Sequence, residues 1–174
     1  MLLAALTLVP LAGCSDEEQV RGDDGTVRTV STIAVFDLRV GDCAVSPDKV
    51  TKDFEGNLAT IQVMPCTTEH TLEYFDRVSF SLAPDAPAAG SSTTVGNIDT
   101  YPGEQAIKLF ADSRCANRFE SYVGIAYTDS TLFLTYLTPS VRSWNDVDRR
   151  DRDVLCFVTT TGEKLKASVK GSRT

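Results

Sequence analysis

One histidine stands in 174 residues, no two cysteines are spaced C-x-x-C, and no Gly-rich phosphate loop or nucleophile elbow occurs. These gaps leave no support for a zinc site built on paired motifs, for P-loop phosphate chemistry or for an α/β-hydrolase serine. Basic residues are also few: 17 against 24 acidic, for a net charge of −7. Such a chain repels polyanions, which excludes nucleic acid as a partner and a basic surface as the means of holding anionic lipid. No apolar run approaches the roughly 20 residues of a membrane-spanning helix. A catalytic set has no foothold here, so the chain is expected to be non-enzymatic, with no cofactor and no metal.

What is present begins with Leu11-Ala12-Gly13-Cys14. A mostly apolar run from Met1 to Leu11 ends in two small residues and a cysteine, the close of a bacterial lipoprotein signal peptide. Its length falls in the range of a cleaved apolar core. The usual basic residues before that core are missing, which a start codon placed too far downstream would explain. An ordinary signal peptide with Cys14 a bystander fits the residues at the cut less well. The expectation is that residues 1–13 are removed and Cys14 carries lipid. One acyl chain anchors only marginally, so two or three are the sufficient form. That places the protein, lipid-anchored, on the outer face of the cytoplasmic membrane.

The cysteines agree with that compartment. Five is an odd number, but assigning Cys14 to lipid leaves Cys43, Cys66, Cys115 and Cys156. An even set outside a membrane reads as two disulfides, with three connectivities open.

About 160 residues remain after the signal, enough for one domain with a tail. Residues 14–30 are polar and acidic, from Ser15-Asp16-Glu17-Glu18 to Asp23-Asp24-Gly25, and are expected to be a flexible tether reaching about a few nanometres. The folded domain is expected over 31–174. Ala34, Phe36, Leu38 and Val40 alternate with Val35, Asp37 and Arg39, the pattern of a half-buried strand ending at Gly41-Asp42. A second strand is predicted over Leu58 to Met64. In the third, Leu72, Tyr74, Val78, Phe80 and Leu82 fall on one face and Glu73, Arg77, Ser79 and Ser81 on the other. Phe75 and Asp76 break that alternation, which points to a bulge.

Ala83 to Asp99 reads as a long loop. A helix comes next, with Pro102 suited to a first turn, Glu104 favouring the positive end of the dipole and Gly124 capping the far end. Ala111, Cys115, Phe119 and Tyr122 form its apolar stripe, with Ala116 and Val123 beside them. Further strands are predicted over Thr131 to Thr138 and Val154 to Thr160, and a weaker one over Lys164 to Val169. Strands on both sides of one long helix make an α+β domain, a mostly antiparallel sheet with the helix packed on one face.

Two stretches could carry chemistry. In Cys66-Thr67-Thr68-Glu69-His70-Thr71-Leu72-Glu73, a thiol and a base stand four apart. A disulfide at Cys66 would remove the nucleophile, and His70 would then fix the turn by bonding backbone or Glu73. Glu69, His70 and Glu73 are too generic a set to hold a metal. The other stretch runs from Pro139 to Trp144, then through alternating charges to Asp151-Arg152-Asp153. Its charges read as a solvated loop, and Trp144 as a cap on the core rather than a ligand platform.

These pieces in order resemble the septum formation domain of actinobacterial envelope proteins. The resemblance rests on Phe36-Asp37-Leu38-Arg39-Val40-Gly41-Asp42-Cys43, on Val63-Met64-Pro65-Cys66 with His70 and Glu73, and on Tyr101-Pro102-Gly103-Glu104 opening a helix that carries Cys115. It continues in Pro139 to Trp144 leading to Asp151-Arg152-Asp153-Val154-Leu155-Cys156. It implies secreted or membrane-attached modules without an established reaction, and it favours pairing Cys43 with Cys66 and Cys115 with Cys156. The expected role is a lipid-anchored interaction module whose partner is an envelope or septum protein. The alternative is a binder of a small ligand or cell-wall fragment, using a groove beside Trp144.

Overall fold

Residues 20–46, 59–80 and 99–174 are described by the structure, a computed structural model. The expected signal peptide, Cys14, the first part of the tether and nearly all of the loop from Ala83 lie outside them.

Among the described residues six antiparallel strands form one sheet: β1 (Ser31–Ala34), β2 (Cys43–Ala44), β3 (Thr60–Met64), β4 (Leu72–Ser79), β5 (Phe133–Leu137) and β6 (Asp153–Thr159). Their order across the sheet is β1-β3-β2-β4-β6-β5. The long helix α1 (Glu104–Val123) lies against β4, β5 and β6, and a short helix α2 (Val141–Asn145) precedes β6. The α+β architecture with one main helix is as expected.

The alternation over Ala34 to Val40 does not mark a strand. β1 ends at Ala34, and Val35–Asp37 turn as a 3₁₀ helix. Val35 and Leu38, three apart, are buried, while Phe36 and Val40 are exposed. A 3₁₀ turn superimposes positions i and i+3, so the inward pair obeys that period and not two.

The bulge in β4 falls where Phe75 and Asp76 interrupt the pattern: pairing with β6 shifts between Tyr74 and Asp76. Its effect is larger than the sequence suggests, because an extra residue reverses the parity of every later position in the strand. Leu72, Tyr74, Arg77 and Ser79 share the face away from α1, and Glu73, Phe75, Asp76, Val78 and Phe80 the face toward it. Tyr74 accordingly belongs to the apolar cluster with Leu155 and Phe157, and Phe75 and Val78 to the one with Val154 and Cys156. The single face expected for Leu72, Tyr74, Val78 and Phe80 is therefore split, and Glu73, expected on the polar face, is wholly buried.

α1 buries Ile107, Ala111, Cys115, Phe119, Tyr122 and Val123, the expected stripe and one more turn. Gly103 precedes it, leaving Pro102 just outside, and Gly124 ends it in the left-handed region at φ 89°, its N–H donating to Glu120 O. A residue with a Cβ would be strained there. The predicted last strand over Lys164 to Val169 is reduced to one bridge between His70 and Leu165. Beyond it the backbone bends so that Val169 N–H reaches the Glu73 carboxylate, which is incompatible with continued pairing.

The face away from α1 is covered as well. Val27, Val35 and Leu38 pack there with Ile61, Val63 and Phe157. Residues 20–30, expected in the tether, are thus fixed to the domain. Arg21 pairs with Val27 in a small hairpin, and its guanidinium grips the buried Asp42 carboxylate through two bonds of 2.7 Å. A segment rich in charge is held because one of its charges finds a buried partner.

Candidate functional site

The two disulfides are Cys43–Cys66 and Cys115–Cys156. The first joins β2 to the turn after β3, and the second fastens α1 to β6. Cys115 and Cys156 are fully buried within the helix-side core. In the first bridge Cys43 is fully buried and Cys66 partly exposed.

His70 and Glu73 sit beside Cys43, both without solvent exposure. Cys43 stands opposite Glu73 in the β2–β4 register, which brings the sulfur and the carboxylate to one spot. His70 is locked twice. Its backbone exchanges hydrogen bonds with Leu165, and Nδ1 lies 2.7 Å from Thr68 O. A carbonyl can only accept, so Nδ1 carries a proton. Nε2 then lies 4.0 Å from Glu73 Oε2 and makes no hydrogen bond.

Glu73 is better satisfied. Oε1 accepts from Tyr122 Oη and Ser168 Oγ, both at 2.6 Å, and Oε2 accepts from Val169 N–H at 2.8 Å. Three donors around one carboxyl group suit the carboxylate. The arrangement ties β4, α1 and the C-terminal segment to one buried charge. Burial, then the bond to Glu73, drives the Tyr122 hydroxyl far above the usual tyrosine range.

Cys43, His70 and Glu73 are the one group of three metal-ligating types that comes together among the described residues, their ligand atoms within 4.8 Å of one another. The donor set does not suit a resident ion: the Cys43 sulfur is bonded to Cys66, and both Glu73 oxygens already accept. Glu69 is turned outward, near Lys164 and Lys166.

Trp144, Asp151 and Arg152 form a second constellation. Ser140 opens α2 with a reciprocal cap, its Oγ accepting from Ser143 N–H while Ser143 Oγ accepts from Ser140 N–H. That turn drives Trp144 inward to 1% exposure. Phe80 and Tyr101 meet the indole edge-on at 5.5 and 5.7 Å, and the Arg152 guanidinium lies over it at 3.9 Å. Arg152 also donates to Trp144 O at 2.6 Å. Asp151 accepts from Asp153 N–H, and burial pushes its carboxyl above the usual range. The indole is part of the core and offers no groove wall.

Exposed apolar surface lies elsewhere. Val147 is 81% exposed at the tip of the charged loop, and Arg149 from the same loop lies 4.8 Å over the ring of Phe36, itself 37% exposed. Sequence pattern misses this pairing, as it misses Arg21, Asp42, Tyr122 as a polar group, and Ser168. Only Tyr122 carries a signal, a hydroxyl within an apolar stripe.

A family model described as septum formation matches residues 40–173. No curated protein and no solved structure matches the chain. Among the described residues, no helix is long and apolar enough to cross a membrane.

Proposed function

Because the chain belongs to the septum formation family, whose role concerns the cell envelope and division, we propose that it is a lipid-anchored, extracytoplasmic and non-enzymatic interaction module. The observation that carries this reading is the Cys43–Cys66 bond. It engages the one thiol that the sequence offers as a nucleophile beside the sole histidine, and it belongs to an oxidising compartment. The Leu11-Ala12-Gly13-Cys14 signature supports the anchor. Trp144 is enclosed, so a wall-fragment groove beside it has no observation in its favour.

The partner is an envelope or septum protein. Its docking site is the surface carried by Phe36 with the Arg149 guanidinium over its ring, together with Val147, exposed in the same loop as Arg149. Aromatic rings and Arg are enriched at interfaces. Pull-down from envelope extracts, together with septum morphology in a deletion strain, tests the reading. Recovery of a specific envelope protein and abnormal septa are expected. No partner and wild-type septa would end it.

A further inference from the structure

The two disulfides differ in ways that bear on chemistry. Cys115–Cys156 is enclosed by apolar side chains at both ends. Cys43–Cys66 has one partly exposed sulfur-bearing residue, Cys66, and one fully buried, Cys43. An incoming thiolate can approach only the first.

Acceptors for two thiols are already in place around that bond. Gly41 O lies 3.4 Å from Cys66 Sγ. His70 Nε2 is within the cluster that includes Cys43 Sγ, is fully buried, and makes no hydrogen bond. A disulfide sulfur has no proton to give, so Nε2 goes unmatched while the bond is closed. Leaving a buried polar atom unmatched costs free energy that a new donor recovers. In the reduced form Cys43 S–H is that donor, and Thr68 O holds the ring with Nε2 available to it.

We propose that, beyond its role as a module, the chain accepts two electrons at Cys43–Cys66 by thiol–disulfide exchange with a protein dithiol of the extracytoplasmic space, once per chain and without turnover, and that His70 is the positioning residue for the buried thiol. The donor's first thiolate attacks Cys66 Sγ. A mixed disulfide forms, the Cys43–Cys66 bond breaks, and Cys43 leaves with the electron pair. The proton lost by the donor's first thiol is balanced by the one that the Cys43 thiolate takes up, and the resulting S–H donates to His70 Nε2, the vacant acceptor beside it. The donor's second thiolate attacks its own sulfur in the mixed disulfide, and Cys66 departs and takes up the second proton. Two electrons and two protons pass from the donor dithiol, which ends as a disulfide, to Cys43 and Cys66.

The test uses the full chain with Cys14 blocked beforehand. Oxidised protein is equilibrated in dithiothreitol buffers of graded reduced-to-oxidised ratio, quenched with acid, alkylated and mapped by mass spectrometry. Circular dichroism is recorded at each ratio. Cys43 and Cys66 are expected to open as a pair, with the fold retained, in buffers at least about tenfold less reducing than those that open Cys115–Cys156. Opening of both bonds together, or of Cys115–Cys156 first, would overturn the proposal. His70→Leu is expected to shift the Cys43–Cys66 equilibrium about tenfold toward the disulfide, the loss of one hydrogen bond to the thiol, and to leave Cys115–Cys156 unmoved. An unchanged equilibrium in a folded His70→Leu protein would remove His70 from the role. The comparison of the two wild-type bonds stands even where that variant does not fold.

Discussion

Tyr122 on α1 donates its hydroxyl proton to Glu73 Oε1 on β4 at 2.6 Å, across the interface between helix and sheet. With Ser168 and Val169 on the same carboxylate, this one group joins three parts of the chain that are distant in sequence. Glu73→Ala leaves the buried Tyr122 Oη and Val169 N–H without an acceptor, while the exposed Ser168 can turn to water. The expected loss of stability is about 3 kcal/mol or more, read from urea unfolding midpoints. Glu73→Gln is expected to cost less, because an amide oxygen still accepts from Tyr122 and Ser168 while its NH₂ opposes Val169 N–H.

The same pair sets an alkaline limit. The folded-state value for Tyr122 lies above the ordinary 10.0, so the folded form keeps a proton that the unfolded chain releases first. Its contribution is fully present below about pH 10 and is lost as pH rises beyond that. Urea midpoints of wild type are expected to fall more steeply between about pH 9 and pH 11 than those of Tyr122→Phe, which has no proton to lose.

Arg21 and Asp42 form a buried ion pair, at 5% and 4% side-chain exposure. Removing one member strands the other's charge, so Arg21→Ala is expected to cost about 3 kcal/mol. It should also free residues 20–30 from the sheet. Hydrogen exchange by mass spectrometry checks this: protection near Val27 should vanish while β4 and β6 keep theirs.

The two bridges close loops of different span, 41 residues for Cys115–Cys156 and 23 for Cys43–Cys66. Loop-closure entropy assigns them roughly 4 and roughly 3 kcal/mol. Cys115→Ala/Cys156→Ala also removes a bridge from the helix-side core. It is expected to lower the thermal midpoint more than Cys43→Ala/Cys66→Ala, as followed by circular dichroism.

Trp144 is the only tryptophan, which makes its environment directly readable. Its emission is expected to be blue-shifted, weakly quenched by acrylamide and unchanged on titration with cell-wall fragments. Trp144→Ala should destabilise by about 3–5 kcal/mol, as for other large aromatic side chains removed from a core.

Much of this fold is legible in local pattern. The stripe from Ala111 through Cys115 and Phe119 to Tyr122 needs only the helical period, and Gly124 only the geometry of a C-cap. The interruption at Phe75-Asp76 announces a bulge, but its consequence depends on which neighbours β4 has, and so simple alternation puts Glu73 on the solvent face. Arg21 belongs to a segment whose composition alone says tether. Its partner Asp42 is 21 residues away, and no local rule connects them. Val35 and Leu38 show a different limit: Ala34, Phe36, Leu38 and Val40 alternate as a strand would, yet of these four only Leu38 is buried, and the residue that turns inward with it is Val35, three positions before. The cysteines are the most legible part of the site. The acceptors that distinguish one bridge from the other come from Gly41 and His70, which meet Cys66 and Cys43 only in three dimensions.

The most direct measurement of the proposed role is site-specific photocrosslinking in the native membrane. A photoreactive residue is placed at Val147, in the loop that carries Arg149 onto Phe36, and in parallel at Leu109, an apolar position on α1 that is 61% exposed. Expected is one envelope protein captured from Val147, lost when Phe36→Asp is added, and absent from Leu109. Equal capture from both positions, or none from Val147 in a folded and correctly located protein, would contradict an interaction module that works through this surface.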